Sequence, residues 1–303
     1  MRIGIAGAGA VGCHYGSLFQ RAGYDVRFLT RGAHLEAMRD TGLRHVSGGK
    51  QHTQRVYAGD HPSILEECGI VILTCKMTDL DIMLKCAAPY LGGESLLVTL
   101  QNGVEAPDML SAAFPTHAIV AGTAFIGARI EKPGTVIHSA AGGVRLGLWQ
   151  HGKGEGPLRL LIQSFAKAGV PIREETDARL MLWRKLLWNC GFNAITAITH
   201  RFARDMAADR ETLAIVREAM EETVAIARAE HIGMSEEDIN KHIRITLEMG
   251  PVKTSMWQDM ERGKCTEVNY INGFVARKAN AMGLDAPANR MLTTLVHALE
   301  QAC

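Results

Sequence analysis

The sequence predicts an α/β protein, with a doubly wound parallel sheet over residues 1–175 and an all-α domain over residues 176–303. Up to about residue 148, short apolar runs alternate with helical patterns, which is typical of a parallel sheet with crossover helices. From about residue 176 onward, the chain consists of long helical patterns instead. Its 303 residues exceed the usual size of one domain, so we expect two separate cores.

The first element is a strand, Arg2 to Ala6, and a glycine-rich turn follows it directly. Gly7 permits a tight turn there, Gly9 lets a pyrophosphate approach the backbone, and Gly12 lets the next helix, to about Arg21, pack on the strand. This arrangement predicts a Rossmann-type domain that binds a dinucleotide cofactor. The residues expected to contact the cofactor are Gly7, Ala8, Gly9, Ala10, Val11 and Gly12.

The second strand, Asp25 to Leu29, indicates which dinucleotide is bound. An NAD-binding protein places an acidic residue after this strand, against the ribose 2′-hydroxyl, but Thr30 and Arg31 stand here. A guanidinium binds a 2′-phosphate with charge-assisted hydrogen bonds, whereas a carboxylate repels it. The sequence therefore predicts NADPH or NADP as the cofactor, and the alternative is that Arg31 is a solvated loop residue.

Two further apolar runs, 69–75 and 96–100, are short and unalternating, as expected of strands buried on both faces. Lys76 follows the first run and Asn102 follows the second. Ligands bind beyond the carboxyl ends of such strands, so both residues are candidate cofactor contacts. The alternatives are a surface lysine and ordinary Asn-Gly turn chemistry.

The rest of the first domain is predicted from turn residues and periodicity. Residues 133–148 suggest a hairpin that turns around Ala140 to Gly143 and closes the sheet antiparallel. A loop over 151–157, a helix over 158–168 and a strand over 171–174 follow. Helices are then predicted over 177–199, 210–230, 235–249, 270–282 and 288–302, and the substrate is expected in the cleft between the domains.

The first of these helices carries Lys185, Asn189 and Asn193 at intervals of four residues. Each step of four residues rotates by only about 40°, so the three side chains share one helix face. Their neighbours are mostly apolar, and buried polar groups need partners. We interpret the face as a polar stripe that meets the substrate, with Lys185 as a proton donor. The alternative is a snorkelling lysine with structural amides.

Two residues further along the chain form a second candidate set. Ser255 follows a Gly-Pro break and Glu267 lies near the start of the next helix, and functional residues concentrate at such positions. Each also has a structural alternative, because Ser255 could cap a helix and Glu267 could complement a helix dipole.

Taken together, these motifs resemble the ketopantoate reductase family over essentially the whole chain. The matching segments are Gly7 to Gly12, Gln101-Asn102-Gly103, 185–198, 255–259 and 266–273. The resemblance implies NADPH-dependent reduction of the 2-keto group of ketopantoate to pantoate, on the path to pantothenate and coenzyme A.

The resemblance also implies roles for individual residues. Lys185 would be the general acid, Ser255 and Glu267 would bind substrate, and Asn102, Asn189 and Asn193 would line the site. Arg31 and Lys76 would contact the 2′-phosphate, and Asn102 is expected at the cofactor as well. Two alternatives stay open: reduction of another branched or aromatic 2-keto acid, and a non-catalytic NADP-binding sensor.

Composition limits the partners. Lys plus Arg number 33 against 32 for Asp plus Glu, so neither nucleic acid nor an anionic membrane is an expected partner. Seven cysteines without a Cys-x-x-Cys pair are expected to be reduced, in a cytoplasmic protein. No metal site is expected, because the twelve histidines form no ligand motif. A homodimer is left open.

Overall fold

The protein is described by a computed structural model that covers residues 1–150 and 152–300. The chain divides into two compact units. The first comprises Met1–Gln101 and Glu105–Ala178, and the second comprises Asn102–Val104 and the chain from Arg179 onward. The loop that carries Asn102 therefore belongs with the helical unit, although it lies within the first 175 residues.

The first unit is built on one sheet, as predicted for a Rossmann-type domain. Its strands are β1 (Arg2–Ala6), β2 (Asp25–Leu29), β3 (Leu43–Ser47), β4 (Lys50–Gln54), β5 (Tyr57–Gly59), β6 (Ile70–Leu73), β7 (Leu96–Thr99), β8 (Ile119–Lys132), β9 (Thr135–Leu148) and β10 (Ile172–Glu174). The helices of this unit are α1 (Ala10–Arg21), α2 (Gly32–Asp40), α3 (Met77–Ala87), α4 (Ala106–Ala113) and α5 (Glu155–Lys167).

Six consecutive strands of the sheet pair parallel in the order β5-β2-β1-β6-β7-β8. In chain order this is 3-2-1-4-5-6, the arrangement of dinucleotide-binding sheets, and its switch point lies between β1 and β6. Every residue of β6 and β7 is buried, which explains their continuous apolar sequences. The carboxyl ends of β1 and β6 thus meet beside the glycine-rich turn.

The predicted hairpin exists, but its turn was placed wrongly. β8 and β9 pair antiparallel, and the chain reverses at Pro133 and Gly134, not at Ala140 to Gly143. Gly134 has a φ of 74°, which suits a tight turn. The residues around Ala141 and Gly142 instead form a bulge, since Phe125 pairs with Gly143 and the next pair is Ile126 with Ala141.

A second hairpin was not predicted. β3 and β4 pair antiparallel around Gly48 and Gly49, and β3 adds to β9 in parallel. This pairing brings His45 of β3 and His138 of β9 against His14 of α1. His14 Nδ1 lies 3.0 Å from His45 Nε2, and the His14 and His138 ring centroids are 4.3 Å apart. Burial lowers the pKa of His14 to about 3 and that of His45 to about 4.

The second unit is helical, as predicted. Its helices are α6 (Ala178–Thr199), α7 (Ala203–Ala208), α8 (Arg210–Ala229), α9 (Glu236–Leu247), α10 (Ser255–Met260), α11 (Asn272–Ala281) and α12 (Pro287–Leu299). The helix predicted over 270–282 starts later, because a 3-10 turn over Val268–Tyr270 ends at Ile271, whose φ of −115° and ψ of −99° are not helical.

Some boundaries in the predicted elements also differ. α5 begins at Glu155, three residues before the predicted start, after Gly154 in a left-handed conformation. His151 in the predicted loop, and residues 301–302 of the last predicted helix, lie outside the described residues. Cys13, Cys68, Cys75, Cys86 and Cys190 form no disulfide, as expected of reduced cysteines.

Two features of the described residues bear on membrane and metal binding. None of the helices in the described ranges is both long and apolar enough to cross a bilayer. Within the same ranges, no group of three or more histidine, cysteine or acidic side chains is arranged to hold a metal ion.

Candidate active site

The glycine-rich turn has the geometry that a dinucleotide requires. Gly7 has a φ of 90°, and a side chain there would meet the backbone of Cys75 at 2.5 Å. A side chain on Gly12 would overlap Thr74 and Ile5, so α1 packs directly on the sheet. Gly9 differs from both, because nothing lies within 4 Å of a Cβ added there.

The open space at Gly9 coincides with an uncapped helix start. Gly9 is the N-cap of α1, which begins with Ala10, and no side chain caps it. The first turn, including Val11, therefore presents backbone N–H groups and the positive end of the helix dipole beside that space. These residues fit a cofactor pyrophosphate, which would hydrogen-bond to those amides.

Arg31 and Lys76 lie at the carboxyl ends of β2 and β6. Arg31 is the N-cap of α2 and Lys76 is the N-cap of α3. The Arg31 guanidinium is 85% exposed and lies 3.5 Å from the Asp79 carboxylate, in the first turn of α3. Asp79 N also bonds to Lys76 O at 3.0 Å, so Asp79 contacts both candidate phosphate-binding residues. An exposed ion pair of this kind is weak, and the guanidinium remains available to an incoming phosphate.

The polar stripe on α6 contains buried amides. Asn189 is 4% and Asn193 is 2% exposed, while Lys185 is partly buried. Among the described residues, Asn189 Nδ2 and Asn193 Oδ1 have no hydrogen-bond partner. A buried donor or acceptor without a partner costs folding free energy, so two such atoms on one helix face indicate a place where a polar ligand binds.

Lys185 occupies an environment that changes its acidity. Burial lowers the pKa of Lys185 from 10.5 to about 8, and the charge of Glu267 opposes that shift by raising it. Glu267 Oε2 in turn accepts a hydrogen bond of 3.0 Å from Asn102 Nδ2. The helical unit therefore brings Lys185, Glu267 and Asn102 together, although they are far apart in sequence.

The segment that contains Asn102 is fixed closely to the one that contains Glu267. Gly103 has a φ of 86°, and a side chain there would lie 2.8 Å from the carbonyl oxygen of Tyr270. Only glycine allows both that backbone conformation and that close approach. The Gln101-Asn102-Gly103 motif thus has a structural reason for its glycine in addition to any chemical role for its asparagine.

Ser255 does not cap a helix, contrary to the structural alternative considered for it. The N-cap of α10 is Thr254, whose hydroxyl accepts from Trp257 N. Thr254 Oγ1 also lies 2.8 Å from Thr196 Oγ1, one turn beyond Asn193 on α6. This bond anchors the start of α10 to α6, and the exposed Ser255 follows the anchor directly. The sequence analysis missed Thr254, although a threonine directly before a helical segment is a common N-cap.

The first unit carries a glycine-rich turn with dinucleotide-binding geometry. The second unit carries a lysine whose pKa is lowered to about 8, a carboxylate that acts on it, and two buried amides with unpartnered atoms. These are features of nicotinamide-dependent oxidoreductases. Comparison with known proteins identifies the family. Residues 3–151 match the profile of ketopantoate reductase PanE/ApbA, and residues 177–300 match that of its C-terminal region.

The chain belongs to the ketopantoate reductase family and is an oxidoreductase. It is 32% identical over 300 residues to a 2-dehydropantoate 2-reductase of Archaeoglobus fulgidus, covering 99% of this chain and 98% of that protein. The crystal structure of a PanE/ApbA family ketopantoate reductase from Ralstonia eutropha has a TM-score of 0.91 at 34% identity, with coverage of 99% and 98%. D-mandelate dehydrogenase, solved with NADH and anilino(oxo)acetate, has a TM-score of 0.92 at 25% identity, with the same coverage.

Proposed function

We propose that this protein is a 2-dehydropantoate 2-reductase, which reduces ketopantoate to pantoate with NADPH in the path to pantothenate and coenzyme A. The observation that carries the proposal is Lys185, whose pKa of about 8 keeps it mostly protonated at neutral pH and able to release its proton. A general acid is most effective when its pKa lies near the working pH.

The cofactor would be held by Gly7 to Gly12 through its pyrophosphate, and by Arg31 and Lys76 through its 2′-phosphate. No acidic residue stands at the end of β2 where it would repel that phosphate. When bound, NADPH supplies a hydride to the C2 carbonyl carbon of the substrate.

The chain's own residues complete the reaction. Lys185 stabilises the negative charge that develops on the carbonyl oxygen and then donates its proton to it, leaving a neutral amine that solvent reprotonates. Asn189 has an unpaired N–H suited to a carboxylate or carbonyl oxygen, and Asn193 has an unpaired oxygen suited to a hydroxyl. Ser255 adds an exposed hydroxyl, which does not cap α10 because Thr254 is the N-cap.

Glu267 accounts for the choice of ketopantoate among 2-keto acids. A carboxylate near an anionic substrate is repulsive unless it accepts a hydrogen bond, and the 4-hydroxyl of ketopantoate donates one. Asn102 donates a hydrogen bond to Glu267 Oε2, which orients the carboxylate that would accept the substrate hydroxyl.

A second candidate is the reduction of an aromatic 2-keto acid, favoured by the similarity to D-mandelate dehydrogenase. The test is kcat/KM with NADPH for ketopantoate, 2-keto-3,3-dimethylbutyrate and phenylglyoxylate. We expect ketopantoate to give the highest value, whereas a preference for phenylglyoxylate would assign the protein to the second candidate. Tight NADPH binding without turnover of any keto acid would support a sensor instead.

A further inference from the structure

A buried asparagine connects the Glu267 segment to the helix that carries Lys185. Asn272, the first residue of α11, is fully buried, and its Nδ2 donates to Cys190 O and to Asn289 Oδ1, each at 2.9 Å. Cys190 is the neighbour of Asn189 on α6. Both N–H groups of the Asn272 amide thus donate hydrogen bonds, and one of them goes to a backbone carbonyl of α6.

The second asparagine continues the same network. Asn289, also fully buried, donates from Nδ2 to Ala219 O at 2.9 Å and to Glu222 Oε2 at 2.7 Å. The Glu222 carboxylate also accepts from the backbone N–H groups of Ala288 and Asn289, at 2.7 and 2.9 Å. Helices α6, α8, α11 and α12 are therefore joined by two side-chain amides and one carboxylate.

The connection from Asn272 to Glu267 is short and stiff. Between them lie the 3-10 turn over Val268–Tyr270 and Ile271, and both Val268 and Ile271 are 1% exposed. A displacement of Asn272 relative to α6 is consequently passed to Glu267. Asn272 Oδ1 has no hydrogen-bond partner among the described residues, but every side-chain N–H of Asn272 and Asn289 is bonded. A shift of one helix against another would break these bonds and leave buried donors without partners.

We propose that Asn272 and Asn289 are positioning residues, which hold the Glu267 carboxylate at a fixed place relative to the Lys185 ammonium on α6. They touch neither substrate nor cofactor. Their effect on the reaction passes through the relative placement of Lys185 and Glu267, and so the proposal rests on the function proposed above for that pair.

A positioning role for these asparagines predicts a change in the pH profile, which a purely stabilising role does not. Glu267 is the charged group whose field raises the pKa of Lys185 against the effect of burial. If the network loosens and Glu267 moves away, the alkaline limb of the pH profile moves to lower pH. Misplacement of reacting groups by about 1 Å also lowers the rate by on the order of tenfold to a hundredfold.

The test compares Asn272→Ser and Asn289→Ser with Thr246→Val. Serine is too short to reach both partners of either asparagine. Thr246 is fully buried and its Oγ1 accepts from Trp188 Nε1 on α6 at 2.9 Å, so its valine variant removes a buried hydrogen bond to the same helix without touching the network. Tm is measured for every protein. The value of kcat/KM for ketopantoate against pH, and KM for NADPH, are then measured at a temperature below the lowest of these Tm values.

We expect Asn272→Ser to lower kcat/KM by about tenfold or more and to move the alkaline limb to lower pH, with KM for NADPH unchanged. Asn289 lies one hydrogen bond further from α6, so Asn289→Ser should lower kcat/KM and the pH of the alkaline limb by smaller amounts. If Asn272→Ser does not fold, Asn289→Ser alone tests the proposal. Thr246→Val should lower Tm while keeping kcat/KM within about twofold and the limb in place.

The proposal is overturned if the serine variants that fold keep the alkaline limb of the kcat/KM profile at the wild-type pH. It is also overturned if, like Thr246→Val, they lower Tm with kcat/KM nearly unchanged. Failure of the proposed function gives a different result, since the wild-type protein would then lack a limb near pH 8, or Lys185→Met would retain activity.

Discussion

Replacing Lys185 by methionine removes the ammonium while keeping a side chain of similar length. The lowered pKa of Lys185, about 8 against 10.5 for an ordinary lysine, corresponds to roughly 3 kcal/mol of differential interaction between its charged and neutral forms. Burial accounts for the destabilised charge, and Glu267 offsets part of it. We expect Lys185→Met to lower kcat by on the order of 10²-fold or more, with little change in NADPH affinity.

The same pKa fixes the pH dependence of the wild-type enzyme. The reduction requires protonated Lys185, which at a pKa of about 8 is roughly nine-tenths protonated at pH 7 and one-tenth at pH 9. The value of kcat/KM should thus be level below pH 7 and fall about tenfold between pH 7 and 9. Oxidation of pantoate requires the neutral amine, so the reverse rate should rise over the same interval.

Two variants make this prediction specific to Lys185. Glu267→Gln removes the charge that raises the pKa of Lys185, so its limb should lie below that of the wild type. Lys185→Met should be more stable than the wild type in the absence of ligand, because it no longer places a charge in a poorly solvated position. A near-normal kcat in Lys185→Met, or a wild-type limb above pH 10, would refute the reasoning.

Three further predictions concern the first unit. Arg31→Ala should reduce the preference for NADPH over NADH in kcat/KM by about tenfold or more, and Lys76→Ala should weaken it further; equal use of both cofactors by the wild type contradicts this. Gly9→Ala should weaken NADPH binding in calorimetry and lower Tm by no more than a few degrees, the cost of a poorer N-cap, because its Cβ enters only open space; a larger fall in Tm would show that the space is structural. His14 and His45 have pKa values lowered below the unfolded value of 6.5, so the free energy of unfolding should be unaffected above that pH and fall by roughly 4 kcal/mol by pH 5 in denaturant titrations; a constant value over this range would exclude their neutral burial.

Local sequence signals were sufficient for the parallel core of the first unit. The glycine-rich turn and the short apolar segments predicted β1 and β2 with their observed ends. Both signals are local, because turn residues and apolar runs can be read from a few neighbouring positions. They were insufficient for the hairpin of β8 and β9. An Ala-Ala-Gly-Gly sequence is suited to a turn or to a bulge, and only the pairing across the sheet selects between them.

The candidate site was predictable as a set of residues but not as an arrangement. Spacing alone placed Lys185, Asn189 and Asn193 on one helix face. That Asn102 bonds to Glu267, 165 positions along the chain, depends on tertiary structure. Asn272 was visible in the sequence as part of a motif, but its bond to the backbone of α6 could not be anticipated from spacing.

The most direct test of the central claim is whether the enzyme recognises the hydroxyl of ketopantoate through Glu267. The measurement is kcat/KM for ketopantoate and for 2-keto-3,3-dimethylbutyrate, which lacks that hydroxyl, with the wild-type protein and Glu267→Ala. We predict that the wild type prefers ketopantoate by about 2 kcal/mol or more, roughly thirtyfold, and that Glu267→Ala loses most of this preference. A wild-type protein indifferent to the hydroxyl would contradict the account and point to a different 2-keto acid.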